Sequence, residues 1–332
     1  MTDVVALAAE LLSLESPTGA EGPAVEFVAR WLVSRGWNVT VQEVTEGRGN
    51  VWASRAGGGV TFGTHLDTVP PFVRPDLRDG RLYGRGACDA KGIAAAMLVA
   101  AERLVARGEE RVDLLFVVGE ERGSDGARAA NRLPATSRFL IFGEPTEGKL
   151  ATGARGSLRA TLRTRGRAAH SAYPDLGQSA IVPMLAVLQD LQRLPLPTDE
   201  VLGATTVNVG TIRGGTEANV IPDACEAELM FRLVGDIAAL KPVLEGCAAG
   251  RAEIAYGSYT PPAPRCHTVP GFATAPVAYA TDVPLLDRWG TPLLFGPGSI
   301  HVAHTPDEHI AVRDLTESVD AYERLAGILL AG

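Results

Sequence analysis

The chain has 332 residues, more than one hydrophobic core usually holds, so two domains are expected. Its 46% hydrophobic content is ordinary for a globular protein, and no window approaches the ~18 uninterrupted apolar residues of a membrane span. A net charge of −8 argues against nucleic acid as the main partner.

The opening MTDVVALAAE is acidic and lacks the basic n-region of a signal peptide, so a cytoplasmic location is expected. Cys88, Cys225, Cys247 and Cys266 are scattered, with no CxxC pair, which fits reduced thiols rather than a disulfide framework or a thiolate metal site. Any metal would need nitrogen and oxygen donors.

In chain order, residues 3–14 and 22–35 carry apolar positions at helical spacing, separated by the SPTG break at 16–19. Strand-like runs follow at 37–44, 51–54 and 59–64. The alanine-rich KGIAAAMLVAAERLVAR, 91–107, reads as a buried helix, VDLLFVVG, 112–119, as a buried strand, and RFLIFGEP, 138–145, as a strand followed by a polar turn. Strands alternating with helices indicate an α/β sheet covered on both faces.

The texture changes after about residue 151. SLRATLRTRGR alternates as a strand, GQSAIVPMLAVLQDLQRL is helical, TTVNVGTI and ACEAELMFRL are strands, DIAALKPVLEGCA is a helix and RAEIAYGSY a strand. The order βαββαβ is the split-βαβ plan of a compact α+β domain. The proline-rich segment 260–264 reads as a return linker, and α/β character resumes from 271 to a last helix at 313–330. The expected division is a catalytic domain from 1–150 and 263–332, with a domain inserted at 151–262.

Functional groups in open α/β sheets gather beyond the carboxyl ends of strands. GTHLDTVP places His65 there, two residues before Asp67, and GRGACDAKG with Asp89, GEERGSDGA with Glu120 and Glu121, and FGEPTEG with Glu144 occupy similar positions. FGPGSIHVAHTPDEH adds His301, His304 and His309. A lone histidine is more often a satisfied core or surface residue than a ligand, and a lone EE pair is usually a solvated face. Five clusters at strand ends reverse that weighting.

Nitrogen and carboxylate donors suit zinc or a similar divalent ion, and one carboxylate can bridge two ions ~3.5–4 Å apart. Adjacent glutamates at one strand end are unfavourable unless a cation compensates them, so one can ligate while the other stays free as a base. In the extended His-x-Asp, Asp67 can accept the second imidazole N–H and fix the tautomer of His65.

In order and over nearly the whole chain, GTHLDTVP, GRGACDAKG, GEERGSDGA, GEPTEG and HTPDEH resemble the M20 family of co-catalytic metallohydrolases. The resemblance implies a metallopeptidase-like catalytic domain of mixed sheet with an inserted ferredoxin-like lid and dimerisation domain. It implies one metal on His65 and Glu144, a second on Glu121 and His304, Asp89 bridging, Asp67 behind His65, and Glu120 as general base. The division of labour between Glu120 and Glu121 comes from the family pattern alone.

GRAAHSAYPDLGQSAI resembles the family's lid motif, whose histidine, here His170, reaches the active site of the partner subunit in a homodimer and polarises the scissile carbonyl. GGTEANVIP resembles the substrate loop and makes Asn219 a candidate contact. Arg232 is placed to pair with a substrate carboxylate, and FGPGS to offer the Gly298 N–H. His301 and His309 match no ligand position and read as surface residues, and Cys88 as a small residue packed behind the site.

The implied reaction is amide hydrolysis with two divalent metal ions, zinc or cobalt, in which Glu120 takes a proton from water and hands it to the leaving amine. The expected bond is a linear amide rather than one cut by an endopeptidase. The chain is most similar to the branch that releases lysine or ornithine from a small acidic amino-group carrier protein in lysine and arginine biosynthesis. Arg155, Arg159, Arg163, Arg165 and Arg167 all fall on odd positions, so a strand there would show one basic face to an acidic partner. The bland alternative for that stripe is a charged sheet edge. N-acetylornithine or succinyl-diaminopimelate deacylation is the alternative activity, and a non-catalytic peptide- or amino-acid-binding relative the alternative class.

Overall fold

The computed structural model describes residues 2–331. They form two compact units: one runs to Thr152 and takes in Arg265–Pro276 and the residues from Thr281, and the other comprises Gly153–Pro264 with Val277–Ala280.

The first unit is built on a six-stranded mixed sheet. From one edge its strands are Asn38–Thr45, Arg48–Ser54, Val112–Val117, Val60–His65, Phe139–Phe142 and Thr291–Leu294. The first two form a hairpin, and the last four run parallel to one another. Val60–His65 and Val112–Val117 are buried throughout, as strands covered on both faces must be, and they carry Thr61, Thr64, His65 and Asp113 inside with them.

The helix Lys91–Ala106 buries twelve of its sixteen residues, so it is enclosed nearly all round. Alanines at 94, 95, 96, 100 and 101 permit this, because their small side chains let neighbours approach on every side. It packs against the helices Val4–Ser13 and Val312–Ala331. On the last helix Tyr322, fully buried, donates its hydroxyl to the carbonyl of Phe295 at 2.9 Å, fixing the chain as it leaves the sheet toward His304.

The second unit is an α+β domain in the order βαββαβ. Its antiparallel sheet has the strand order Thr206–Gly214, Ala224–Leu233, Gly156–Arg165, Glu253–Thr260. The helices Ile181–Leu191 and Ile237–Ala248 share one core with it, around Leu158, Leu162, Met184, Phe231 and Leu244. Ala154 and Ala263 exchange both backbone hydrogen bonds, at 2.8 and 2.9 Å, and so tie the two ends of the inserted segment together.

Arg159, Arg163 and Arg165 do lie on the exposed face of their strand. That strand is not an edge, however, since it pairs on both sides. Arg163 forms an ion pair with Glu226 at 2.6 Å on one neighbour, and Arg165 lies 3.7 Å from Glu253 on the other. Arg155 binds the Leu202 carbonyl and Arg167 that of Leu176, both outside the strand. Two of the three arginines on this face are therefore in cross-strand opposite-charge pairs, which balance much of its positive charge, while Arg159 stands opposite Met230.

Candidate metal centre

Parallel strands bring their carboxyl ends to one side of a sheet, and three of these strands end in chemistry. Val60–His65 ends in His65 itself, Val112–Val117 runs into the turn carrying Glu120 and Glu121, and Phe139–Phe142 is followed by Glu144. Gly119 makes the first turn possible. Its φ is +77°, and a Cβ there would lie 2.0 Å from Asp125 Oδ1.

Ligand atoms of His65, Asp89 and Glu121 all lie within 4.8 Å of one another. His65 Nε2 is 3.0 Å from Asp89 Oδ1, and His304 Nε2 is 2.9 Å from Glu121 Oε1 and 3.2 Å from Asp89 Oδ2. Asp89 thus stands between the two histidines, one carboxylate oxygen to each. His304 has φ +63°, a left-handed conformation uncommon for a residue with a side chain.

The electrostatics of this cluster are those of a cation site. Burial disfavours charge on His65, yet the nearby carboxylates of Asp67 and Asp89 raise its pKa. Hydrogen bonds with Asp89, then Glu121, raise His304 to about 10. Burial works against charge on Asp89 too, but His304 and His65 hold it below the usual carboxylate range. Burial, then the charge of Asp89, pushes Glu144 up, and burial, then Glu144 and Asp282, pushes Glu120 up. Glu144 Oε1 is buried with no hydrogen-bond partner among the described residues. Nitrogen and oxygen donors, an excess of buried carboxylate and an orphaned carboxylate oxygen all fit divalent cations in place of protons.

Asp67 differs in detail from the expectation. His65 Nδ1–H donates to the Asp67 backbone carbonyl at 2.9 Å, with the carboxylate farther off at 3.5 Å. The carboxylate instead accepts the N–H groups of Glu120 and Glu121 at 3.0 and 3.1 Å and the Thr18 hydroxyl at 2.7 Å. With the ring served by carbonyl 67, the side chain is free to brace the glutamate turn.

Gly298 has φ +82°, and a Cβ on it would meet Cys88 Cβ at 2.7 Å, so close packing on Cys88 requires glycine here. Cys88 is fully buried behind Asp89. His301 is exposed, and His309 sits in the strand His309–Ala311, where its ring packs on Tyr83.

The remaining candidates belong to the second unit. His170 and Asn219 are exposed and adjacent: the 170 segment bridges Val220, and Ser171 N–H donates to the Asn219 carbonyl at 2.9 Å. Arg232 is half-buried near the end of Ala224–Leu233.

Two acidic residues escaped the sequence reading. Asp282 is fully buried, and burial, opposed by Ser124 and reinforced by the charge of Asp67, pushes it up to about 7. Nothing in ATDVPLL signals this. Glu308 is also fully buried and binds backbone beside Asp89. It sits inside HTPDEH, but a residue that serves N–H groups leaves no ligand spacing to read.

Residues 61–327 match the peptidase family M20/M25/M40. The chain belongs to this family. A peptidase M20 domain-containing protein of Schizosaccharomyces pombe is 38% identical over 97% of this chain and 84% of its own. A probable carboxypeptidase of Aspergillus fumigatus is 37% identical over 95% and 84%. Among solved structures, a tripeptidase of Staphylococcus aureus superposes with TM-score 0.83 at 20% identity, over 99% of this chain and 98% of that one. The Bacillus subtilis YXEP protein, a dinuclear metal binding peptidase from M20 family, does so with TM-score 0.72 at 18% identity, over 99% and 98%. As an M20/M25/M40 member the chain is a metal-binding hydrolase whose α/β fold carries an inserted domain.

Proposed function

We propose that this chain is a two-metal exopeptidase-type hydrolase that cleaves an amide bond next to a free C-terminal carboxylate. The observation that carries the reading is Asp89 held between His65 and His304, with Glu121 on the second histidine. His65 and Glu144 would hold one cation, Glu121 and His304 the other, and Asp89 both. When bound, two such ions, zinc or cobalt by donor type, lower the pKa of water and polarise a carbonyl.

Glu120 does the proton work. It is the acid of the pair that makes no hydrogen bond to His304, and desolvation with nearby carboxylates raises its proton affinity. A raised carboxylate accepts a proton from the attacking water and returns it to the leaving amine. The Asp67 carboxylate keeps the Glu120 backbone in place for both transfers.

The carboxypeptidase description of relatives near 37% identity supports a substrate with a free terminal carboxylate. Arg232 and Asn219 are the candidate contacts to it, with His170 on the scissile carbonyl from a second copy of the chain. Support for a dimer comes from exposed Tyr173, Leu176, Val182, Leu185 and Ile212, all on the second unit, and from the open edge strand Thr206–Gly214. The carrier-protein reading drew on the arginine stripe, and the pairing of Arg163 and Arg165 with Glu226 and Glu253 removes most of that support.

The test is turnover by the zinc- or cobalt-loaded protein on dipeptides with free and amidated C-termini, acetylornithine, succinyl-diaminopimelate and a lysine-loaded carrier, side by side. Cleavage of free-carboxylate dipeptides and loss on amidation are expected. Turnover confined to the carrier or to one small N-acyl amino acid would replace the peptidase reading with that activity.

A further inference from the structure

We infer that Glu308 is a positioning residue whose carboxylate, locked to Arg85, holds the turn that presents Asp89 and sets Asp89 against His304. The inference deepens the two-metal reading and rests on it.

Glu308 Oε1 accepts the backbone N–H groups of Gly86, Cys88 and Asp89 at 3.0, 3.3 and 3.2 Å. Its Oε2 takes Arg85 Nη1 at 2.6 Å, and its own carbonyl accepts Gly84 N–H at 3.0 Å. Every one of these bonds falls on the 84–89 turn. Arg85 is anchored in turn, its Nε donating to the Pro71 carbonyl at 3.1 Å. Both partners are buried, Glu308 fully and Arg85 to 2% exposure.

A carboxylate suits this place because several converging N–H groups form a concavity for an anion, and guanidinium is the partner that satisfies its outer oxygen. Stability alone is a poor account of the pair, since burying two charges costs desolvation that their attraction need not recover. The positions of the bonds supply a better one. Glu308 binds the N–H of Asp89 itself, and it stands four residues after His304 on the same short segment. One side chain thereby joins the segment of one candidate ligand to the backbone of another and fixes their 3.2 Å approach. Cys88 lies inside the joint, its Sγ 3.7 Å from both Glu308 Oε1 and the Ser299 carbonyl.

The experiment compares wild type, Glu308→Gln and the double variant Arg85→Met/Glu308→Gln. Zinc affinity is read by chelator competition, and alkylation of Cys88 and Cys225 in chelator-treated protein by peptide mass spectrometry. Partners that orient metal ligands typically contribute ~10–100-fold in affinity, and a loss of that size is expected in both variants. Cys88 should alkylate at least about tenfold faster as the turn loosens, while Cys225, in the other unit, keeps its wild-type rate. The double variant removes the unpaired buried arginine, so it carries the test if the single variant does not fold. Wild-type zinc affinity with a protected Cys88, whatever the melting temperature does, would overturn the inference, as would failure of both variants to fold. Wild-type protein that binds fewer than two zinc ions would instead sink the two-metal reading, and Cys88 alkylation, which needs no metal, would still decide the role of Glu308.

Discussion

The carboxylate of Asp67 accepts the N–H groups of Glu120 and Glu121, the two residues on which catalysis is proposed to turn, at 3.0 and 3.1 Å. The imidazole of His65 is satisfied separately by carbonyl 67. Asp67→Asn should therefore leave His65 in place but face one backbone N–H with an amide NH₂. Turnover should fall about 10–100-fold, in the range for groups that orient ligands, with kcat affected more than KM. A change in KM alone, or zinc loss confined to the His65 side, would return Asp67 to the role of orienting the imidazole.

Glu120→Gln separates base from ligand. The amide can hydrogen-bond water but cannot take its proton, so turnover should fall about 10²–10⁴-fold while zinc content stays at wild-type level. Glu121→Gln should lose zinc, because Glu121 Oε1 is the atom 2.9 Å from His304. Metal analysis of both purified variants checks this, and the opposite pattern would reverse the assignment.

What the sequence made legible was whatever parallel strands concentrate at their ends. His65 and Glu121 come together because adjacent parallel strands deliver their ends to one edge, and alternating strands and helices announce that plan. Asp89, expected at a strand end too, comes instead from the turn that leads into Lys91–Ala106, outside that sheet. What stayed hidden depends on register or on backbone. Arg163 reads as a free cation until Glu226 arrives opposite it on another strand. Carbonyl 67 and the Glu308 carboxylate act on or through main-chain groups, which every residue carries, so no spacing of side-chain types marks them. Asp282 is brought within electrostatic range of Glu120 and Glu144 by a loop with no strand signal at all.

Metal removal should affect stability as well as rate. Cations that bind only the folded chain stabilise it by mass action, about 2.7 kcal/mol at one hundred times the Kd. Here they would also relieve repulsion among Asp89, Glu120, Glu121 and Glu144. Calorimetry with zinc and with chelator should show a clearly higher melting temperature with zinc, and zinc restored after chelation should recover activity. An identical melting temperature in the two conditions would argue against a cation in this cluster.

Away from the site, Asp113 gives a pH dependence. It is buried at the start of Val112–Val117, its Oδ1 has no hydrogen-bond partner among the described residues, and burial raises it from 3.8 to about 6. Between those values the folded chain holds a proton that the unfolded chain has released. Its stability contribution is therefore full below the unfolded value and lost as pH rises through about 6. Asp113→Asn should be more stable than wild type by about 1–2 kcal/mol at pH 8, after allowing for screening, and nearly equal to it at pH 4. Denaturant unfolding at the two pH values tests this, and a gain at pH 4 that vanishes at pH 8 would show the sign to be wrong.

Assembly supplies the last test. Val182 and Leu185 are 65% and 55% exposed on the helix Ile181–Leu191, beside no described partner that covers them, and large apolar side chains clustered in the open mark an interaction surface. If a second copy covers that face, Val182→Asp/Leu185→Asp should sediment as a monomer while zinc affinity, a property of the other unit, is unchanged. If His170 then serves the partner's site, inactive His170→Ala and inactive Glu120→Gln should complement each other. Random reassortment makes half the dimers mixed, and each mixed dimer has one site with both residues intact, so about a quarter of wild-type activity should return. Verified mixed dimers with no recovery would confine His170 to its own chain or to no catalytic role. A fully active monomer would exclude the contribution from a partner altogether, and the exposed apolar face would then need a different occupant.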